Sequence, residues 1–117
     1  MAPTDTMTPL ERQFHQETLD GCRVLRREHG YNPSYFLQMV ADHGAVGAVR
    51  RLLQTPDTQA GLTSLWEIGR LDMSCEAAIL DPRYATLFTL TEKWEARKRL
   101  RAMNYPPAAS PEKVDQP

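Results

Sequence analysis

The sequence predicts an all-α protein, a compact bundle of five or six short helices with flexible tails at both ends. Helix start and stop signals recur along the chain, and β-branched residues almost never alternate with polar ones as they do in strands. The segment 1–7 is short and polar, and the segment 104–117 carries four prolines, which are too many for a helix. We therefore expect two disordered tails, 1–7 and 104–117, around a single helical domain spanning 8–103.

Composition limits the class of protein. A chain of 117 residues supports one modest core. Its net charge of −1 argues against a domain built to coat nucleic acid. No apolar run approaches the roughly 18 residues of a membrane span, and the N-terminal segment "MAPTDTMTPLERQF" lacks both the basic and the apolar region that are typical of a signal peptide. Cys22 and Cys75 are too few for a disulfide framework and are interpreted as small buried hydrophobes. The sequence thus predicts a cytoplasmic protein without a membrane segment.

The first helix has the clearest start. Thr8 is a capping residue, Pro9 suits the first helical position, and Glu11 completes a capping box. The predicted helix covers 9–29, and Gly30 provides a left-handed stop. Its inward stripe is expected to contain Leu10, Phe14, Cys22 and Leu25.

Two further helices follow the same pattern. Asn32 and Pro33 begin one that ends at Gly44 and turns Phe36, Met39 and Val40 inward. A third, over 45–54, carries Val46, Val49, Leu52 and Leu53 and stops before Pro56, with Arg50 and Arg51 facing water. The segment 55–62 contains proline and glycine and is predicted to be a polar loop.

The stretch 65–80 holds three carboxylates that could form an acidic site or serve the fold. A brief helix is expected to start at Thr63 or Ser64 and end at Gly69. Glu67 then pairs with Arg70, Asp72 caps the next helix, and Glu76 favours its first turn. We therefore assign these carboxylates a structural role.

The last helices lie before the proline-rich tail. Asp81 caps a short helix that starts at Pro82. Thr89 and Glu92 form a capping box for the final helix, with Thr91 as a competing cap. The core-facing residues of that helix are predicted to be Trp94, Ala96, Leu100 and Met103, and the outward ones Lys93, Arg97, Lys98, Arg99 and Arg101.

No motif indicates catalysis. His15, His29 and His43 are isolated, and CxxC pairs and helical His pairs are absent, so we predict no metal. Phosphate-binding glycine loops are also absent, and capping carboxylates are poor acid–base pairs. We predict no cofactor and no enzymatic activity. The enzyme alternative would use Cys75 or the acidic stretch.

Nucleic-acid binding is a second alternative. Gly44 joins two short helices as in a helix-turn-helix, but the turns that follow present Ala45, Val46, Gly47 and Ala48, which cannot read base edges. Arg50, Arg51 and the cations from Lys93 to Arg101 could contact phosphates if the fold brings them onto one face.

The segments "YNPSYFLQMVADHGAVGAVRRLL", "GLTSLWEIGRLDMSCEAAILDPRYATLF" and "ARKRL" carry a family resemblance. Over about 31–100 the chain resembles a small helical domain of unknown function in bacterial proteins. That domain occurs alone or attached to larger proteins, some associated with restriction or mobile elements. The resemblance implies a helical fold and brings no catalytic role with it, and Cys75 stands where a residue such as Val is expected.

The leading hypothesis is a non-catalytic binding or accessory protein with a protein partner, and the alternative is a nucleic-acid-binding accessory factor using the basic last helix. Most of the tryptophan and tyrosine rings at Tyr31, Tyr35, Trp66, Trp94 and Tyr105 are expected in the core. Any ring exposed beside Arg70 or the last arginines would resemble an interface hot spot. The candidate partner-binding residues are Arg50, Arg51, Arg70, Lys93, Arg97, Lys98 and Arg101.

Overall fold

The structure, a computed structural model, describes residues 6–55 and 58–105, without the side chains of 58–60. Helices account for most of the described chain and no strand occurs in it, so the predicted all-α bundle is confirmed. The helices are α1 (Pro9–His29), α2 (Ser34–Leu53), α3 (Thr58–Glu67), α4 (Cys75–Ile79) and α5 (Leu90–Ala102), with 3₁₀ helices at Leu71–Met73 and Pro82–Leu87. Most of the two predicted tails lies outside the described residues.

The described chain forms two compact units with a boundary between Arg51 and Leu52. In the first unit, α1 has the predicted bounds. The Thr8 hydroxyl accepts from the Glu11 N–H, the Glu11 carboxylate accepts from the Thr8 N–H, and Gly30 ends the helix at φ 66°. The buried stripe contains Phe14, Cys22 and Leu25, as predicted, whereas Leu10 is half-buried.

Helix α2 is broken at Gly44, where φ is 76° and ψ is 165°. This conformation is open almost only to glycine, and the predicted end of one helix and start of the next are therefore confirmed. The broken helix presents a new N-terminus after Gly44, and His15 caps it. The Nδ1 atom of His15 accepts from the Ala45 N–H at 3.1 Å.

The second unit departs from the prediction at its start. The predicted loop over 55–62 is wrong from Thr58 onward, because α3 begins at this residue and not at Thr63 or Ser64. Leu62 and Leu65 are three residues apart and both buried, and this burial outweighs the roughly 1 kcal/mol helix penalty of Gly61. Gly69 ends the helix at φ 72° as predicted. The Gly69 and Arg70 N–H groups donate to the Trp66 and Leu65 carbonyls, a glycine stop of the Schellman type.

The cap of α4 is also corrected. Ser74, not Asp72, caps this helix, and its hydroxyl accepts from the Ala77 N–H. Asp72 lies instead in the first 3₁₀ helix. Its carboxylate accepts hydrogen bonds from the Nε atom and from a terminal nitrogen of Arg70, each at 3.1 Å. Arg70 thus pairs with Asp72, whereas the predicted partner was Glu67.

The caps before the last two helical segments agree with the prediction. Asp81 accepts from the Arg83 N–H at the start of Pro82–Leu87. Hydrogen bonding from the Arg83 side chain lowers the pKa of Asp81. The Thr89 hydroxyl accepts from the Glu92 N–H, and the Glu92 carboxylate accepts from the Thr89 N–H, so the predicted capping box of α5 is present.

Candidate functional site

The seven candidate cations differ in environment. In the first unit, Arg51 is exposed and Arg50 half-buried. In the second unit, Arg70 is held by Asp72, Arg97 is half-buried, and Lys98 and Arg101 are exposed. The remaining candidate, Lys93, is 4% exposed, so its placement on the outward face of the last helix is wrong.

The buried face of α5 explains the position of Lys93. Ala96 and Leu100 are fully buried, and Lys93 precedes them by three and seven residues, which places it on the same face. The prediction had assigned the apolar residues of this helix to the core and the charged residues to the outer surface. The packing of Ala96 and Leu100 sets the orientation of the helix instead.

A second face of α5 carries the candidate site. Leu90, Trp94, Lys98 and Arg101 fall within about 80° of one another around the helix axis, at 100° per residue. We call these four residues the α5 strip. Leu90 is 53% exposed, Trp94 is half-buried, and Lys98 and Arg101 are exposed. The strip therefore begins with an apolar half and ends with a basic half.

The two halves meet at Trp94 and Lys98. The Lys98 Nζ lies 5.4 Å from the centre of the Trp94 ring, within the range of a cation–π contact. Lys98 also lies 3.7 Å from the Glu95 carboxylate. The Trp94 ring thus has an ammonium group over it and is half-buried, whereas the prediction had placed it among the core-facing residues.

Arg97 borders the strip, three residues after Trp94 and four before Arg101. Its Nε atom is buried and has no hydrogen-bond acceptor among the residues that the structure describes. Buried donors without an acceptor are rare and energetically unfavourable. Arg97 is therefore a half-buried side chain at the edge of the strip, with one guanidinium nitrogen that lacks an acceptor among the described residues.

Arg99 lies on the inner side of the same helix and has a structural role. Its side chain is 10% exposed and lies 3.5 Å from the carboxylate of Glu76, whose side chain is 5% exposed. Its Nε donates to Glu95 at 2.8 Å. The terminal nitrogens donate to the carbonyl oxygens of Leu52, Leu53 and Thr55 at 3.2, 2.8 and 3.3 Å. Arg99 thus ties α5 to α4 and to the chain at 52–55.

Sequence reasoning missed this pairing, although Glu76 is the one charge inside the run "MSCEAAIL". Burial raises the pKa of Glu76, and Arg99 opposes that rise. The other two acidic residues of the stretch have different surroundings: Glu67 is exposed and Asp72 binds Arg70. The three carboxylates therefore have separate structural environments.

The aromatic rings are more exposed than expected. Trp66 is 57% and Tyr35 is 76% exposed, whereas Tyr31 and Tyr105 are half-buried. The expectation that Trp66 fills the core is wrong, because Leu62 and Leu65 provide the buried face of α3. Leu90 was not singled out from the sequence, although its spacing of four residues from Trp94 was a usable signal.

A polar surface pocket of about 250 Å³ lies beside the break in α2 of the first unit. Its lining includes His43, Arg50 and Glu11. The Glu11 carboxylate already accepts from the Thr8 N–H, and Arg50 has an interaction within the protein. Both charged groups are thus engaged, and the pocket has less free binding capacity than its lining suggests.

The remaining chemical groups to consider are the two thiols and the side chains that can bind a metal ion. Burial raises the pKa of Cys22, which opposes formation of the reactive thiolate, and Cys75 is half-buried. In the described ranges, no three His, Cys, Asp or Glu side chains are grouped so as to hold a metal ion. No helix over those residues is long and apolar enough to cross a membrane.

Comparisons of the chain with protein-family models, with curated proteins and with solved structures found no match.

Proposed function

We propose that this chain is a non-catalytic accessory protein that binds a protein partner through the α5 strip. The observation that supports the proposal is the 53% exposure of Leu90 on the same helical face as Trp94 and two exposed cations. Tryptophan and arginine are the residue types most enriched at interface hot spots. The strip combines them with an aliphatic side chain on a rigid helix.

Folding does not account for the exposure of Leu90. The inward face of α5 already has fully buried Ala96 and Leu100 and the contacts of Arg99. Leu90 lies at the first helical position, where a polar residue would leave the Thr89 capping box intact. We infer that Leu90, together with the adjoining edge of Trp94, makes a contact outside the chain.

The non-catalytic part of the proposal is supported by what the acidic side chains do. Asp72 binds Arg70 and Glu76 lies against Arg99, so each takes part in an ion pair of the fold. We expect Cys75→Ala to retain partner binding, whereas an enzyme that uses this thiol would lose its activity.

The setting of the function rests on the resemblance and on the thiols. We propose a location in the bacterial cytoplasm, because neither Cys22 nor Cys75 forms a disulfide and reduced thiols fit a reducing compartment. The chain resembles helical domains associated with restriction or mobile elements, and we therefore propose that its protein partner belongs to such a system.

Nucleic-acid binding is the alternative, supported by the grouping of Arg97, Lys98 and Arg101 near the end of α5. Binding of this kind weakens steeply between about 50 and about 200 mM salt, because it releases counterions from the phosphates. Binding that depends on Leu90 and persists at the higher salt concentration would favour the protein partner.

The test compares Leu90→Glu with Tyr35→Ala. Both change a large exposed apolar residue, but Tyr35 lies in α2, outside the strip. The tagged chains are expressed in a bacterial host, captured proteins are quantified by mass spectrometry, and each candidate is purified for affinity measurement.

We expect at least one partner that binds the wild type and Tyr35→Ala and binds Leu90→Glu about tenfold or more weakly, a difference of about 1.4 kcal/mol. If no captured protein discriminates between the two variants, the strip is not the binding surface and the proposal fails.

A further inference from the structure

We propose that the α5 strip recognises an acidic peptide segment carrying one large apolar side chain, whose carboxylates pair with Lys98, Arg101 and Arg97. This inference rests on the proposed function and specifies the chemistry of the partner. It is argued from the order of apolar and charged groups along the helix, from the charge balance, and from Arg97.

The order of groups along α5 sets the spacing in the partner. Leu90 and Trp94 are separated by about 6 Å along the helix axis, Trp94 and Lys98 by about 6 Å, and Lys98 and Arg101 by about 4.5 Å. An extended chain advances about 3.3 Å per residue. An apolar side chain against Leu90 and Trp94 is therefore followed, within about two to four residues, by carboxylates facing the cations.

The charge balance of this face favours an anionic partner. Lys98, Arg101 and Arg97 carry three positive charges, Arg101 has an interaction within the protein, and Lys98 lies 3.7 Å from the carboxylate of Glu95. This carboxylate already accepts from Arg99 at 2.8 Å, on the inner side of the helix. An acidic segment would thus meet a surface of complementary sign, which favours specific association.

Arg97 supplies the second, independent reason. Its buried Nε has no acceptor among the described residues, and a carboxylate is the acceptor that fits a guanidinium fork. Reorienting this side chain toward a carboxylate of the partner would form a hydrogen bond that the free protein lacks. Binding thereby relieves an unfavourable feature of the unbound chain.

A peptide fits the strip better than a nucleic acid does. Half of the strip is apolar, and affinity for nucleic acid scales with the number of phosphates contacted. The Lys98 ammonium also lies over the Trp94 ring, where a nucleobase would have to stack. An aliphatic or aromatic peptide side chain needs only the exposed edge formed with Leu90.

The experiment uses the full chain as bait for a random-peptide phage library, with an oligothymidine strand as a separate probe. The test variant is Lys98→Gln with Arg101→Gln. The control is Arg26→Gln with Arg27→Gln, which removes two exposed cations from the last turn of α1. Circular dichroism and urea midpoints verify that both variants fold.

We expect the wild type and the control to enrich peptides rich in Asp and Glu around a large apolar residue. Synthetic copies should bind the Lys98 and Arg101 variant about tenfold more weakly, and also bind Arg97→Gln more weakly. Replacing Glu by Gln in these copies should have a similar effect on their affinity for the wild type.

Two results would overturn the inference without affecting the proposed function: enriched peptides that are neutral or basic, or acidic peptides that bind the variant as tightly as the wild type. In either case the partner captured through Leu90 would remain. Failure of the library to enrich any peptide, together with oligothymidine binding lost in the same variant, would replace the peptide with a nucleic acid. If Leu90→Glu also leaves partner capture unchanged, the proposed function fails as well.

Discussion

Replacing Arg99 by methionine is the perturbation whose effect the structure defines best. Methionine keeps much of the side-chain volume but removes the guanidinium group, so the Glu76 carboxylate remains in a site where its side chain is 5% exposed. Removing one partner of a buried ion pair costs about 3–5 kcal/mol, because the remaining charge is uncompensated. We expect Arg99→Met to lower the free energy of unfolding by an amount in this range.

The carbonyl groups at 52–55 contribute less to this loss. Thr55 is exposed and Leu52 and Leu53 are half-buried, so water can replace part of the hydrogen bonding that Arg99 provides. A hydrogen bond exchanged for one to water changes stability by only about 1 kcal/mol. The larger part of the effect should therefore come from Glu76.

Urea unfolding followed by circular dichroism measures the effect, with Lys98→Met as the matched control. Lys98 is on the same helix, but its side chain is 62% exposed and its ion pair with Glu95 is 3.7 Å long, so its loss should cost no more than about 1 kcal/mol. The double variant Glu76→Met with Arg99→Met should recover much of the stability, because no buried charge is left unpaired.

The pH dependence provides an independent check. Burial raises the pKa of Glu76, and without Arg99 we expect it to rise further. The folded variant then holds its proton at a pH where the unfolded chain, with a carboxyl pKa of about 4.3, has lost it. The free energy of unfolding of Arg99→Met should therefore decline as the pH rises above that value, up to the pKa in the folded state. A loss below about 1 kcal/mol at neutral pH, or a double variant no more stable than Arg99→Met, would refute this reasoning.

Three further predictions concern the backbone and its caps, all measured by urea unfolding. Gly44→Ala should cost about 1–3 kcal/mol because of its positive φ, whereas Gly61→Ala, in open space within α3, should stabilise by up to about 1 kcal/mol; equal effects would contradict the break in α2. Ser74→Ala should lose about 0.5–2 kcal/mol as a helix cap and Asp72→Ala no more than about 1 kcal/mol as a surface pair; the reverse order would restore Asp72 as the cap. Burial lowers the pKa of His15, so the unfolded chain binds more protons and stability should fall as the pH drops below about 6.5. The stability difference between the wild type and His15→Ala, about 1 kcal/mol at higher pH, should shrink in that range, and a constant difference would exclude His15 as the cap.

The candidate site was only partly predictable, and the reason is visible in α5. The sequence identified the helix, its capping box and its excess of cations. It did not indicate that Lys93 would be buried, that Arg99 would bind Glu76, or that Trp94 would lie on the outer face. Each of these depends on which side of the helix meets the rest of its unit, and the charged residues surround the helix too evenly to reveal that side.

Local signals determined the elements themselves. The start of α1 at Pro9, the stop at Gly30 and the break at Gly44 follow from hydrogen bonds and φ angles within a few residues, so the sequence alone was sufficient for them. The start of α3 and the burial of Glu76 depend on residues distant along the chain. Burial free energy is decided by the neighbours that the fold supplies, and only the tertiary structure contains that information.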